Sequence, residues 1–317
     1  MKILITRRID QSAVSLLKRH FEVNYINENK PLDRNFLLNH IKNYEGVLCC
    51  ISEKFDAELL NLAKTRLKVI SNMAAGIDNI EVKVARELGI EVFNTPVVVT
   101  ESTADLTLAL ALALIRKLDA AQIYIKNNKW IAWDPEIFLG RTLNSLTWGI
   151  VGFGQIGQAV AKRIFGFGVK VLYNDPYIDI NCLNGYIPVH KATLDNILLK
   201  SDVVSLHIPL TKETTQLINL EKFKRMKKSA FLINMARGKI VNTRDLISAL
   251  ELKEISGAAF DVFDPEPLSG NHEIFKFNNV VITPHIGTAT IDCRRKMALL
   301  AAKNIINFFK LKNTHGN

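Results

Sequence analysis

Three side chains late in the sequence have types that could together carry out acid–base chemistry on a substrate acid. Arg237, Glu266 and His285 each follow a short apolar run that is typical of a buried strand. A histidine can protonate an oxyanion near neutral pH, and a neighbouring glutamate favours the imidazolium and orients the ring. An arginine offers a fork of donors that fits a carboxylate. The set predicts a site that binds an acid and protonates its carbonyl oxygen, although each residue alone could be a surface or core-edge group.

A glycine-rich stretch predicts a place for a hydride carrier. Gly152, Gly154 and Gly157 have G-x-G-x-x-G spacing between a strand-like run and an amphipathic helical segment. This spacing permits a tight turn, close approach of a pyrophosphate, and close packing of helix on strand. Asp175 ends the next strand-like run, where the ribose-binding acid of a dinucleotide fold belongs. No arginine follows Asp175 to hold a 2′-phosphate, so the sequence predicts NAD(H) and disfavours NADP(H).

The elements that must position these residues are short strands alternating with helices. The strand-like runs before residue 100 are 2–6, 22–26, 47–51, 68–72 and 91–94. The six runs after residue 146 are 147–151, 169–174, 203–206, 230–234, 257–260 and 280–283. Such alternation is typical of parallel sheets covered by helices on both faces. Because ligands bind beyond the carboxyl ends of strands in these sheets, the candidate residues are expected at one edge.

Composition places the chain among globular proteins. Its 317 residues are 48% hydrophobic and 23% charged, enough for two domains with their own cores. The four cysteines form no C-x-x-C pair and no metal-ligand grouping, which predicts free thiols, a cytoplasmic location and no metal site. The N-terminus lacks a signal-peptide layout, and the longest apolar run is too short to cross a bilayer. We therefore expect no membrane association.

The positive charge raises the alternative of a nucleic-acid-binding protein. The formal net charge is +10, and the run Lys222–Lys228 contains five cations. Phe223 and Met226 within that run are spaced to face inward, which leaves the cations on a solvated helix face. No nucleic-acid-binding motif accompanies the run, so we expect no nucleic-acid partner.

Two further stretches carry specific expectations. The segment 100–115 is apolar nearly all round beyond Asp105, so it must be buried, either inside the chain or in a subunit interface. The stretch 130–140 has no period and many large apolar groups, and we interpret it as a loop packed on another surface. A turn of small residues at 73–76 leaves the N–H groups of Ala75 and Gly76 available to bind an anion.

Taken together, the motifs resemble those of the D-isomer-specific 2-hydroxyacid dehydrogenases over nearly the whole chain. The matching stretches are 72–78, 94–96, 100–105, 152–157, 206–211, 233–238, 261–267 and 283–287. The resemblance implies an α/β fold with two doubly wound parallel-sheet domains, in which a Rossmann cofactor domain is inserted into a flavodoxin-like substrate domain. It implies a substrate domain of residues 1–99 plus 288–317 and a cofactor domain of residues 100–287. It also implies a homodimer formed through a helix at 101–117.

The resemblance further implies roles for individual residues. Arg237 would bind the substrate, Glu266 would be the partner of His285, and His285 would be the acid/base. The substrate-binding candidates are Ile51, Ala75, Gly76, Arg237 and His285. The cofactor-binding candidates are Thr103, Gly152, Gly154, Gln155, Ile156, Gly157, Asp175, His207, Pro209, Thr214, Met235, Ala236, Arg237, Asp261, His285 and Gly287. By residue type, Asp261 could accept a hydrogen bond from the nicotinamide amide, whereas His207 could equally be a packing or positioning group.

Within the family, the stretches 48–53 and 130–140 look most like those of the glyoxylate/hydroxypyruvate reductases. The sequence therefore predicts NAD(H)-dependent reduction of a small 2-keto acid, glyoxylate or hydroxypyruvate, to the D-2-hydroxy acid. D-lactate and phosphoglycerate dehydrogenase activities are the alternatives, although phosphoglycerate dehydrogenases carry a basic residue where Ile51 stands. A non-enzymatic, NAD-sensing protein-binding module like the corepressors of this scaffold also stays open, because it keeps the same three polar residues.

Overall fold

The structure is a computed structural model that describes residues 1–314, with side chains described as far as Leu311. The chain divides into two compact units. The first unit combines Met1–Val99 with the segment from Thr288 onward, and the second unit is Thr100–Gly287.

The first unit is built on a five-stranded parallel sheet. Its strands are β1 (Lys2–Ile5), β2 (Glu22–Tyr25), β3 (Gly46–Cys49), β4 (Val69–Asn72) and β5 (Glu91–Phe93). The helices between them are α1 (Gln11–Lys18), α2 (Arg34–His40), α3 (Ala57–Ala63) and α4 (Val82–Glu87). The strand order β2-β1-β3-β4-β5 is that of flavodoxin-like sheets, which confirms the predicted fold class.

The C-terminal helix, Ile291–Thr314, covers one face of this first sheet. It buries Met297, Ala301 and Ile305 almost completely, because these residues recur at helical spacing on one side. Farther along the helix, the ring of Phe309 lies 5.5 Å from that of Phe21 in an edge-to-face arrangement. The first hundred residues therefore do not complete their core without this helix.

The second unit is built on a seven-stranded parallel sheet. Its strands are β6 (Thr147–Val151), β7 (Lys170–Asn174), β8 (Cys182–Leu183), β9 (Ile187–Pro188), β10 (His190–Lys191), β11 (Val203–Leu206), β12 (Phe231–Asn234), β13 (Gly257–Phe260) and β14 (Val280–Ile282). Its helices are α5 (Thr100–Ile115), α6 (Leu118–Lys126), α7 (Gln155–Phe165), α8 (Leu194–Lys200), α9 (Leu220–Arg225) and α10 (Thr243–Glu251). The order β10-β7-β6-β11-β12-β13-β14 extends the Rossmann order by one strand, and β8 and β9 form a separate antiparallel pair.

The expectation of six strands in this unit is wrong, because it omits the edge strand β10 and the antiparallel pair β8 and β9. Strand β10 is two polar, exposed residues that pair with β7, so it lacks the apolar run by which a strand is found in sequence. The sequence also did not predict the short 3₁₀ helices of the chain. They are Ile41–Asn43, Val97–Val99, Leu143–Ser145, Gly238–Ile240 and Glu273–Lys276.

The apolar helix α5 packs against α7 and strands β12 to β14 of the second unit. The segment Val97–Ile115 is long and apolar enough to cross a membrane by length and composition, but half of it is buried. Burial of Thr107, Leu110 and Leu114 against the sheet accounts for that hydropathy as it does for any core helix.

The loop at 130–140 is only partly packed on the described chain, where the ring of Phe138 lies 5.4 Å from that of Tyr124 in an edge-to-face arrangement. Trp130, Ile131 and Trp133 are 65%, 96% and 83% exposed. These three side chains therefore form an apolar surface that no other part of the described chain covers.

The lysine-rich run lies at the surface, but the predicted helix covers only part of it, because α9 ends at Arg225 and Met226 has extended backbone angles. Phe223 and Met226 are buried, as predicted. Lys222 and Arg225 both pair with Asp195 at 2.7 Å, and Lys227 lies 3.2 Å from Asp202. Three of the five cations of the run are therefore paired with carboxylates of the same chain.

Asp202 ties the amino-terminal edge of the second sheet together. Its carboxylate accepts from the N–H of Thr147 at 2.9 Å and from Arg141 at 3.0 Å, and it pairs with Lys227. Burial opposes ionisation of Asp202, but the hydrogen bonds from Thr147, Arg141 and Lys227 outweigh it and hold the pKa of the carboxyl below its ordinary value. Ionised Asp202 therefore stabilises the folded state.

We predict that Asp202→Asn lowers the stability of the protein at pH 7 by about 1–3 kcal/mol, because the amide cannot replace the charge-assisted bonds. The folded-state pKa is depressed, so the stabilisation is present above the ordinary carboxyl pKa of about 3.9 and is lost as the pH falls. Urea denaturation at pH 7 and in acid checks this, with Asp179→Asn, an exposed carboxylate of the same unit, as control. A difference between variant and wild type that persists unchanged in acid would contradict the assignment.

Candidate functional site

The glycine-rich loop between β6 and α7 needs glycine at two positions for reasons of the fold. Gly152 has φ of +91°, and a Cβ there would lie 2.6 Å from the carbonyl oxygen of His207. A Cβ at Gly157 would collide with the carbonyl oxygen of Gly152. These two glycines let the strand turn sharply and the helix pack against it.

Gly154 has no such structural reason, because a Cβ built on it meets nothing within 4 Å. It is the N-cap of α7, is exposed, and has ordinary extended backbone angles. No side chain caps this helix end, so its first N–H groups and the positive end of the helix dipole are available to an anion. An open backbone at an uncapped helix N-terminus fits the pyrophosphate of a dinucleotide.

Asp175 lies beside this loop at the carboxyl end of β7. One carboxylate oxygen accepts from the N–H of Phe153 at 2.8 Å, inside the glycine loop. The other accepts from the N–H groups of Tyr177 and Ile178 at 2.8 and 3.1 Å. The carboxylate is thus oriented at the loop while retaining lone pairs that a ribose hydroxyl could use.

His207 follows β11 and is bound to the interior of the unit by its side chain. Its Nε2 lies 3.0 Å from Ser205 Oγ, which in turn accepts from the indole N–H of Trp148 at 2.9 Å. Burial lowers the pKa of His207 to about 3, so the ring is neutral. Its backbone carbonyl oxygen lies where a Cβ on residue 152 would collide, so the backbone of His207 is one reason for glycine at that position.

The remaining cofactor candidates follow other strand ends or lie on nearby helices. Met235 and Ala236 are nearly buried after β12, and the Thr214 hydroxyl donates to the carbonyl of Pro209 at 2.7 Å. Thr103 of α5 donates to the carbonyl of Gly287 at 3.5 Å. Gln155 and Ile156 begin α7, and the Gln155 side chain lies 3.4 Å from the Thr100 hydroxyl.

Asp261, which follows β13, organises the loop that carries His285. Its buried carboxylate accepts from the Thr283 hydroxyl at 2.6 Å and from the N–H groups of Ile286 and Gly287, each at 2.7 Å. Its backbone carbonyl accepts from the N–H of His285 at 2.9 Å. These bonds occupy both carboxylate oxygens, so the structure gives Asp261 a role in shaping the loop that residue type alone did not suggest.

His285 and Glu266 form the central pair of the candidate active site. His285 Nδ1 lies 3.0 Å from one oxygen of Glu266, and the other oxygen accepts from the N–H of Phe263 at 2.7 Å. Burial opposes ionisation of Glu266, yet the bonds from His285 and Phe263 and the charges of His285 and Arg237 hold its pKa below the ordinary value. An ionised carboxylate on Nδ1 leaves Nε2 as the atom that can give or take a proton. Both side chains are about one-third exposed.

Arg237 comes directly after β12, at the same edge of the sheet as Glu266 and His285. Its Nη1 donates to the carbonyl of Ala236 at 2.7 Å, and its backbone carbonyl accepts from the side chain of Asn234 at 2.9 Å. The guanidinium is only partly buried. The second unit thus brings the three predicted chemical groups to one sheet edge.

In the first unit, hydrogen bonds to its carbonyl groups fix the turn after β4, the candidate anion-binding turn. The carbonyl of Ala74 accepts from the N–H of Thr95 at 2.8 Å. The carbonyls of Ala75 and Gly76 accept from the side chains of Asn94 and Asn72 at 2.6 and 3.0 Å. With three carbonyls held inside, the N–H groups of Ala75 and Gly76 have no acceptor among the described residues.

The asparagines that hold this turn were missed by sequence reasoning, which assigned no role to any of them. Ile51, the remaining substrate candidate, lies in the loop after β3 and is 37% exposed. Among the described residues, no group of three or more His, Cys, Asp or Glu side chains could hold a metal ion, and the four cysteines are free.

Comparisons with known proteins agree with these features. A family model described as D-isomer specific 2-hydroxyacid dehydrogenase, NAD binding domain, matches residues 108–287. A glyoxylate reductase of Thermococcus onnurineus is 42% identical over 315 residues, covering 97% of this chain and 92% of that protein. A crystal structure of a Thermus thermophilus protein has a TM-score of 0.90 and 41% identity, covering 96% of each chain. The D-lactate dehydrogenase of Aquifex aeolicus, solved with NAD and lactic acid, has a TM-score of 0.85 and 30% identity, covering 100% of this chain and 98% of that chain.

We predict that Gly154→Ala leaves folding intact but weakens NADH binding by about tenfold or more, or ~1.4 kcal/mol, because the new methyl group occupies the open space above the loop. Thermal melting and titration of NADH fluorescence separate the two effects. Gly166→Ala at the other end of α7, where a Cβ makes only ordinary contact, is the matched control. Unchanged NADH affinity in Gly154→Ala would remove this loop from the cofactor site.

Proposed function

The chain belongs to the D-isomer specific 2-hydroxyacid dehydrogenase family, and we propose that it reduces glyoxylate or hydroxypyruvate to the D-2-hydroxy acid. Family membership makes it an oxidoreductase that acts on 2-hydroxy acids and uses NAD(H). The glyoxylate reductases among its relatives support the choice of substrate.

The observation that carries the proposal is the Glu266–His285 pair. A nicotinamide supplies the hydride when it is bound. Reduction of a carbonyl also needs a proton, and His285 Nε2 is free to give it while Nδ1 is held by Glu266 at 3.0 Å. The contact of Glu266 with Nδ1 fixes the orientation of the ring. In the reverse direction Nε2 accepts the proton from the hydroxyl group.

Two anion-binding elements support a substrate that carries a carboxylate. Arg237 offers paired N–H donors suited to a planar carboxylate, and a lysine would not match that geometry. In the first unit, the N–H groups of Ala75 and Gly76 offer a second set of donors. Each unit on its own thus offers donors suited to a carboxylate, and in the second unit Arg237 and His285 are the groups suited to the carbonyl of the substrate.

The similarity to a D-lactate dehydrogenase keeps pyruvate as a second candidate substrate. Ile51 disfavours a phosphorylated substrate, because a phosphate facing an apolar side chain loses a charge-assisted bond of about 1.5–3 kcal/mol. A corepressor-like, NAD-sensing module differs from all these candidates because it would not turn over any 2-keto acid.

We further propose that the enzyme is cytoplasmic.

We also propose a homodimer, formed through helix α5 and the exposed segment that follows it. The segment presents Ile123, Trp130, Ile131 and Trp133, which a lone chain would leave in water. A monomeric mass by sedimentation velocity would contradict this assembly.

The activity is tested by following NADH oxidation with a panel of 2-keto acids, with NADPH in parallel. We expect the highest kcat/KM with glyoxylate or hydroxypyruvate. Turnover with NADPH should be lower, because a carboxylate at Asp175 repels a 2′-phosphate by about 1–4 kcal/mol at surface-like screening. Absence of turnover with every 2-keto acid would favour the non-enzymatic reading, and equal rates with NADPH would overturn the cofactor preference.

We predict that His285→Ala lowers kcat/KM by about 100- to 10,000-fold, the usual contribution of a general acid–base residue. NADH affinity should be retained, because the glycine loop and Asp175 are unchanged. His190→Ala, an exposed histidine on the edge strand of the same unit, is the matched control and should behave as wild type. A His285→Ala variant with near-normal turnover would refute the proton-transfer role.

A further inference from the structure

Two short segments of the first unit follow neighbouring strands and lie at the same sheet edge. One is the loop Cys50–Glu53 after β3, here called the Ile51 loop, and the other is the anion-binding turn Ala74–Gly76 after β4. If the proposed function holds, the turn binds the carboxylate of the substrate and Ile51 faces the group that the 2-keto acid carries beyond its carbonyl. The distance between the two segments would then limit the size of that group.

Two asparagine side chains join these segments through hydrogen bonds. The Asn72 amide group donates to the carbonyl of Gly76 at 3.0 Å and to the side-chain oxygen of Asn79 at 2.9 Å. The Asn79 amide group donates to the carbonyls of Cys50 and Glu53 at 3.2 and 2.9 Å. Both N–H bonds of each amide are therefore used, and they form a continuous connection from the turn to the loop.

The Ile51 loop is also held by bonds that do not involve Asn79. The buried carboxylate of Glu53 accepts from the N–H of Cys50 at 2.9 Å and from the Thr6 hydroxyl at 3.0 Å. The bond from the Cys50 N–H to Glu53 lies within the loop and closes it on itself. The bonds from Asn79 instead come from the segment that follows the turn. The internal shape of the loop depends on Glu53, and its position relative to the turn depends on Asn79.

We propose that Asn79 is a positioning residue that sets the size limit for the substrate by fixing the Ile51 loop relative to the anion-binding turn. Loss of its two donations removes the bonds between Asn79 and the loop, whereas the bond from the Glu53 N–H to the Cys50 carbonyl at 3.4 Å and the bond from Asn72 to Gly76 stay in place. Carboxylate binding at the turn is then preserved, and the loop can move away from it. Two-keto acids with larger groups gain more from this movement than glyoxylate, which carries only a hydrogen.

The test compares wild type with Asn79→Ala and Asn79→Asp. Aspartate keeps the shape of asparagine and an oxygen that can accept from Asn72, but it cannot donate to the two carbonyls. Both variants therefore remove the two donations to the loop, and alanine also removes the bond from Asn72. Asn61→Ala is the matched control, because Asn61 is an exposed asparagine of α3 whose side chain also donates to a backbone carbonyl. The measurements are kcat and KM for glyoxylate, pyruvate and 2-oxobutyrate, NADH affinity by fluorescence, and thermal stability.

We expect the kcat/KM ratio of 2-oxobutyrate to glyoxylate to rise by about 3- to 10-fold in both Asn79 variants, as loss of one or two hydrogen bonds implies. NADH affinity should stay at the wild-type value, and Asn61→Ala should leave the ratio unchanged. If Asn79 serves folding alone, its substitution should lower the thermal stability and lower kcat/KM by the same factor for every substrate. That result would overturn the proposal.

The outcomes also separate this proposal from the function on which it rests. A wild-type protein that reduces 2-keto acids with an unchanged ratio in the Asn79 variants would refute only the positioning role. A wild-type protein that reduces none of them would refute the proposed function. Failure of both variants to fold would also overturn the proposal, because Asn79 would then be a residue of the fold alone.

Discussion

The buried carboxylate of Asp261 is the interaction on which the candidate active site depends most directly. A carboxylate that is 2% exposed is costly to bury unless donors surround it. Here the Thr283 hydroxyl and the N–H groups of Ile286 and Gly287 supply them, and each donor comes from the loop after β14. The loop is therefore folded around this side chain. This constraint holds His285 at φ of +54°, a left-handed conformation that a histidine adopts rarely without such support.

The same design appears in both units, where parallel strands bring chemical groups to one edge and hydrogen bonds from inside fix the loops. In the second unit Asp175 holds the glycine loop and Asp261 holds the histidine loop. In the first unit Asn72 and Asn94 hold the anion-binding turn by its carbonyls. The candidate ligand-binding groups are then backbone N–H groups and a few side chains whose positions are already determined. Such preorganisation lowers the ordering cost of binding.

Much of the fold was predictable because buried parallel strands consist of continuous apolar runs, which can be recognised in the sequence. The glycine spacing before α7 and the strand ends that carry Arg237, Glu266 and His285 were found this way. Strand β10 was missed because two exposed polar residues carry no such run. The stretch 130–140 was expected to pack on another surface, but its apolar composition could not show which surface that is, and Trp130, Ile131 and Trp133 are exposed in the chain alone. The uses of Asp261 and Asn79 could not be predicted, because their partners are backbone groups far away in sequence.

The discontinuity of the first unit has a consequence for how the chain acquires its structure during synthesis. The second unit is continuous, so it can fold as soon as residues 100–287 have left the ribosome. The sheet of the first unit must wait until Ile291–Thr314 has been made, because that helix covers one of its faces. During that interval an apolar sheet surface is exposed in the nascent chain, and the early segment is then open to aggregation or to binding by chaperones.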